Sequence, residues 1–133
     1  MRHLMNALDL TVDEIHDLIV LAEKIIQDPA RFSEVCKGKK LATCFYEPST
    51  RTRLSFESAM LNLGGQVLGF SSADSSSASK GESVADTIRV ISSYADICAM
   101  RHQKKVHHTS PLFIQKFQLS TPVMAVTIIR PRH

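Results

Sequence analysis

The segment Leu41-Ala42-Thr43-Cys44-Phe45-Tyr46 constrains the fold more than any other stretch of this chain. It is short, β-prone and nearly continuous in its apolarity, the pattern of a strand buried on both faces within a parallel sheet. Parallel strands need long crossovers, and helical patterns flank the segment on both sides. Upstream, Thr11-Val12-Asp13-Glu14 has the form of a capping box. Ile15, Leu18, Ile19, Ala22 and Ile26 then recur at three- and four-residue steps until Asp28-Pro29 ends the run. That stripe is expected to pack into the core. Downstream, Phe56, Ala59, Met60 and Leu63 share one helical face up to Gly64-Gly65, and Gln66 to Phe70 reads as a strand. Val84, Ile88, Ile91 and Ala95 mark a third helix, and Ile97 to Met100 a third strand. Strict alternation of this kind predicts an α/β fold, a parallel sheet with helices on both faces.

With 133 residues, 44% of them hydrophobic and 22% charged, the chain suits a single packed core and not a disordered segment. Its longest apolar run, Leu18 to Ala22, is too short to cross a bilayer, and Met1-Arg2-His3 leads into no apolar signal segment. A cytoplasmic location without membrane partners is expected. Cys36, Cys44 and Cys98 are odd in number and lack CxxC spacing, which argues against a disulfide framework or a zinc site. His3, His16 and His102 show no metal-ligand spacing, so no metal or other cofactor is expected.

Charge is distributed unevenly. Residues 1–102 hold all 13 acidic residues and 11 of the 16 basic ones, whereas 103–133 hold the remaining five basic residues, no acid and no glycine. The net +3 therefore conceals a composition break after His102. Basic residues in that tail are scattered between the apolar runs Leu112 to Ile114 and Val123 to Ile129, a poor pattern for binding nucleic acid.

In parallel α/β sheets, ligands bind beyond the carboxyl ends of the strands. That rule directs attention to Glu47–Arg53, Ser71–Lys80 and Arg101-His102. Ser49-Thr50-Arg51-Thr52-Arg53 falls where a buried strand gives way to a helix, so its first amides lack intrahelical acceptors and the helix dipole is positive there. Three hydroxyls and two guanidiniums complete an anion cradle. Neither GxxxxGK[ST] nor GxGxxG occurs, which points to a small phosphorylated ligand and not a nucleotide.

Phe45-Tyr46-Glu47-Pro48-Ser49-Thr50-Arg51-Thr52-Arg53-Leu54-Ser55-Phe56-Glu57 closely resembles the carbamoyl phosphate signature of the aspartate and ornithine carbamoyltransferases. Glu47-Pro48, Lys80-Gly81-Glu82-Ser83, Ala85-Asp86-Thr87 and Met100-Arg101-His102 resemble the aspartate branch in order and spacing. The resemblance covers residues 1 to about 102. It implies a domain in which Ser49, Thr50, Arg51 and Thr52 hold the phosphate and Arg101 reaches the carbonyl and phosphate oxygens. Ser76 and Lys80 match a loop that family members insert into a neighbouring subunit's site, which implies a homotrimer, with or without a regulatory subunit. Arg51, Thr52, Lys80 and Arg101 would carry catalysis, with L-aspartate as second substrate and no cofactor. Arg53 and Glu47 are read as scaffold, paired with each other. Cys44 and Cys98, within strands, are read as core and not as nucleophiles.

Family members continue into a second α/β domain for the amino acid, whereas the resemblance here stops after His102. Residues 1–102 are read as an incomplete carbamoyl phosphate-binding domain, and 103–133 as an out-of-frame translation of the usual continuation. Restoring one C ahead of codon 103 allows Pro-Lys-Glu-Gly-Ala-Pro at the start of the tail. Further on, it allows Asn-Ala-Gly-Asp-Gly followed by His-Pro-Thr. The single codon of Met124 forces one of those glycines, although the next position cannot become the expected Gln. Two other readings stay open: a fragment of an ornithine carbamoyltransferase, and a non-catalytic module that binds phosphate or nucleic acid.

Overall fold

A computed structural model describes residues 3–4, 7–72, 81–102 and 123–128. The elements are β1 (His3–Leu4), a short 3-10 turn (Ala7–Asp9), α1 (Val12–Gln27), α2 (Pro29–Phe32), β2 (Lys40–Phe45), α3 (Thr50–Asn62), β3 (Gln66–Phe70), α4 (Val84–Ile91), β4 (Ile97–His102) and β5 (Val123–Ile128). They form one sheet in the order β1-β5-β4-β2-β3. The expected parallel unit is its heart: β2 pairs in parallel with β3 from Lys40↔Gln66 to Cys44↔Phe70, and with β4 from Leu41↔Ile97 to Phe45↔Arg101.

As the central strand, β2 is buried from Leu41 through Phe45. Its alternate residues serve two cores, because successive side chains point to opposite faces. Ala42, Cys44 and Tyr46 pack with Cys98, Met100 and the α4 residues Val84, Ile88 and Ile91. Leu41 and Ala99 pack with Met60 and Phe56 of α3 on the opposite face. Helices therefore cover both faces of the parallel unit, as expected.

Two glycines fix where the segments turn. Gly64 follows α3 with a φ of +81°, and a Cβ there would collide with the Ser33 carbonyl. Its amide donates to the Leu61 carbonyl at 2.9 Å, which closes the helix end. Gly69 lets β3 approach β2 so closely that a Cβ would strike the Thr43 carbonyl.

Three observations depart from the sequence reading. First, β4 extends to His102, two residues past the expected end, because the parallel pairing reaches Arg101 and β5 pairs as far as His102. Second, the tail contributes β5, antiparallel to both β4 and β1, so the full sheet is mixed. The sequence Val-Met-Ala-Val-Thr-Ile is rich in β-branched residues and suits an added strand.

Third, the α1 stripe is not core. The capping box forms as expected: the Glu14 amide donates to Thr11 Oγ1 at 3.2 Å, and the Thr11 amide donates to Glu14 Oε2 at 2.8 Å. Asp28 then caps α2, with Pro29 at its first position. Yet no residue of α1 is buried, and Leu18, Ile19 and Ile26 are 50%, 53% and 79% exposed. The amphipathic pattern specifies a face to be covered, and no described element covers it.

Candidate functional site

The carboxyl ends of β2, β3 and β4 lie side by side, and an aromatic cluster joins them. The Tyr46 ring, just past β2, meets Phe70 of β3 edge-on at 5.0 Å and His102 of β4 at 4.9 Å, tilted by 58°. Its amide also donates to the Arg101 carbonyl at 2.9 Å. Burial pushes the Tyr46 phenol above its ordinary pKa, partly opposed by the nearby Thr87 hydroxyl. The Thr87 hydroxyl itself donates to the Ser83 carbonyl at 3.3 Å, and among the described residues the Tyr46 hydroxyl makes no hydrogen bond.

From this base the chain turns through Glu47-Pro48 into α3. Ser49 is the N-cap residue but does not cap with its side chain; instead its hydroxyl donates to Thr52 Oγ1 at 2.9 Å. The first helical bond runs from the Arg53 amide to the Ser49 carbonyl at 3.0 Å. The amides of Thr50, Arg51 and Thr52 therefore precede the helical ladder, at the positive end of the dipole. Thr50 and Arg51 are exposed, while Ser49 and Thr52 are half-buried.

The arginines do not pair as the sequence suggested. Arg53 and Glu47 are not partners. Arg101 Nε lies 3.1 Å from Glu47 Oε2, and Arg53 Nε lies 3.4 Å from Glu57 Oε1. Parallel pairing puts Arg101 beside Phe45, two residues before Glu47, so Glu47 reaches across to β4. Arg53 instead finds the carboxylate one helical turn ahead on its own helix. Glu57 is itself tied to the sheet, since the buried Thr43 hydroxyl donates to its Oε1 at 2.8 Å. Glu57 and Thr43 were missed as site residues. The available signals were the four-residue step from Arg53 and a lone polar side chain in the otherwise apolar Leu41–Phe45 run.

Thus Ser49, Thr50, Arg51, Thr52 and Arg101 lie at the carboxyl end of the sheet, where amides ahead of the helical ladder, hydroxyls and guanidiniums suit an anion, with Arg101 held by Glu47 and the Ser49 hydroxyl by Thr52. Ser76 and Lys80 lie outside the described residues. Cys44 and Cys98 are buried, with Cys98 Sγ donating to Cys44 Sγ at 3.6 Å. That contact and burial hold the Cys44 thiol far above its ordinary pKa, which leaves it protonated and unfit as a nucleophile. Among the described residues no group of three His, Cys, Asp or Glu could hold a metal ion, and no helix is long and apolar enough to cross a membrane.

Residues 2–129 match the profile of the aspartate/ornithine carbamoyltransferase carbamoyl-P binding domain. The chain belongs to this family. It is 76% identical over 105 residues to the aspartate carbamoyltransferase catalytic subunit of Lachnoclostridium phytofermentans, covering 79% of this chain and 34% of that protein. With the corresponding subunit of Clostridium kluyveri it shares 64% identity over 104 residues, covering 78% of this chain and 34% of the relative. Among solved structures, the catalytic subunit of M. jannaschii aspartate transcarbamoylase superposes with a TM-score of 0.71 at 50% identity, covering 78% of this chain and 36% of that one. The Trypanosoma cruzi enzyme in complex with carbamoyl phosphate gives 0.66 at 37% identity, over 72% of this chain and 32% of its own. The chain thus spans about a third of the length of the curated carbamoyltransferases it matches.

Proposed function

We propose that these residues form the carbamoyl phosphate half of an aspartate carbamoyltransferase, which transfers the carbamoyl group to the amino group of L-aspartate in pyrimidine biosynthesis. The carrying observation is the set of three open amides at the α3 N-terminus, flanked by Arg51 and by Arg101 at the end of β4. The relatives at 64–76% identity are aspartate carbamoyltransferase catalytic subunits, which favours aspartate over ornithine as acceptor.

Ser49, Thr50, Arg51 and Thr52 receive the phosphate through amides, hydroxyls and one guanidinium, and Arg101 swings from Glu47 to the carbonyl and phosphate oxygens. Amine attack builds negative charge on the carbonyl oxygen and on the departing phosphate. Fixed cations and amides stabilise that charge without metal or covalent intermediate. Ser76 and Lys80 act in a neighbouring subunit of a cytoplasmic homotrimer. A regulatory subunit is compatible with this assembly but is not required by the chemistry. Residues 103–133 are an out-of-frame continuation, which sequencing the DNA around codon 103 tests: an intact frame, with no long homologue one base away, overturns that reading.

The 133 residues alone are expected to bind carbamoyl phosphate without turning it over. Calorimetric titration should show binding that Arg51→Ala abolishes. A coupled assay that found full aspartate-dependent phosphate release, or Arg51→Ala binding as tightly as the parent, would refute the reading.

A further inference from the structure

Three arginines surround the open end of α3, and the fold treats them unequally. Arg101 is taken by Glu47 and Arg53 by Glu57, while Arg51 is exposed and makes no ion pair among the described residues. Helix stability does not explain the Arg53–Glu57 pair. A four-residue pair with its cation on the N-terminal side is the weaker orientation, and Arg53 near the helix start opposes the dipole. Glu57 is nevertheless drawn in to 20% exposure by the buried Thr43 hydroxyl. A carboxylate withdrawn from water and tied to the central strand is a poor way to make a helix-surface ion pair, because desolvation erodes its gain. What the arrangement achieves is cancellation of one positive charge within a turn of the anion cradle.

We propose that Glu57, held by Thr43, is a positioning residue that sets the charge of the cradle. By neutralising Arg53 it removes a charge that would otherwise favour di- and polyphosphates over a ligand with one phosphoryl group. The inference rests on the carbamoyl phosphate reading above. Its physical basis is that attraction to an unpaired cation grows with ligand charge, whereas a close ion pair presents a field that decays much faster. An unneutralised Arg53 would therefore favour pyrophosphate over phosphate.

The test titrates inorganic phosphate and pyrophosphate into the full 133-residue chain at two salt concentrations. The parent chain is expected to bind both within about threefold of each other. Glu57→Gln keeps the shape and the acceptor for Thr43 but drops the charge; it should tighten pyrophosphate at least tenfold, tighten phosphate about threefold, and steepen the salt dependence. Arg53→Gln, which leaves the carboxylate unpaired, should weaken both anions. The double variant restores the balance and should return both to within threefold of the parent. Loss of a merely structural contact weakens binding and cannot tighten it, so the sign discriminates.

Glu57→Gln weakening both anions, or leaving their ratio unchanged, overturns the proposal. Should Glu57→Gln fail to fold, the charge-balanced double variant decides: a tenfold loss of phosphate affinity overturns the proposal, and parent-like binding upholds it. If the parent chain binds no phosphate, the carbamoyl phosphate reading fails as well. Phosphate binding with an unaltered ratio in Glu57→Gln sinks this inference alone.

Discussion

Polar substitutions on the α1 stripe should cost much less stability than the same changes in a core, where the pattern alone would place them. Full burial of a large aliphatic side chain is worth roughly 1.5–3 kcal/mol. Leu18 and Ile19 are 50% and 53% exposed and Ile26 79% exposed. Scaled by what remains buried, that leaves about 0.8–1.5 kcal/mol each for Leu18 and Ile19 and about 0.3–0.6 for Ile26. Glutamine retains part of the aliphatic contact, so each single replacement should cost under about 1 kcal/mol. The Leu18→Gln/Ile19→Gln/Ile26→Gln triple variant should cost at most about 3 kcal/mol. A genuine core stripe would lose about 2–5 kcal/mol at each site. Urea unfolding followed by circular dichroism measures the difference, and sedimentation velocity should show less self-association in the triple variant, because an exposed apolar face is removed. Single substitutions that each cost more than about 2 kcal/mol would show the stripe to be covered and refute the argument.

Two further outcomes follow from the ion pairs. Glu47→Gln frees Arg101 from an internal competitor that a ligand must displace, and it should tighten phosphate binding to the 133-residue chain by about two- to fivefold, the worth of an ion pair that still keeps some access to water; weaker binding would show that Glu47 instead orients Arg101 for the ligand. The Lys40 amide, at 2.9 Å, and Lys39, at 3.2 Å, hold the Asp96 carboxyl below its ordinary pKa against a smaller effect of burial. A depressed carboxylate contributes stability that is present above its unfolded pKa and is lost as pH falls through the folded one. Asp96→Asn should therefore cost about 1 kcal/mol near neutrality, a deficit that closes below about pH 4 in urea midpoints measured against pH; a deficit constant with pH would remove Asp96 from the acid response.

Much of the architecture was legible because local and global signals agreed. The Leu41 to Tyr46 run announced a doubly buried strand, Gly64-Gly65 marked the end of α3, and Gln66–Phe70 emerged with the expected bounds. The Ser49 to Thr52 turn was legible because a strand-to-helix junction has unsatisfied amides whatever the rest of the chain does. Choice of partner was not. Glu47 could be matched to Arg101 only through the register of β2 against β4, a relation between residues 54 apart in sequence. The α1 stripe failed for a related reason: periodicity reveals that a helix has an apolar side, and only the rest of the fold decides whether anything lies against it. In the tail, the apolar run from Val123 was legible, but its antiparallel pairing with β4 depends on a register that the sequence does not carry.

The Tyr46, Phe70 and His102 cluster carries a consequence for the energetics of recognition. Three successive strands end against one shared aromatic knot, so the segments leaving them start from anchor points fixed relative to one another. Ordering several flexible segments around a small anion ordinarily consumes binding free energy. Here the strand ends that the cluster joins, and the Glu47–Thr52 turn that leaves β2, are set in place when β2, β3 and β4 assemble, which leaves more of the ligand's interaction free energy to appear as affinity.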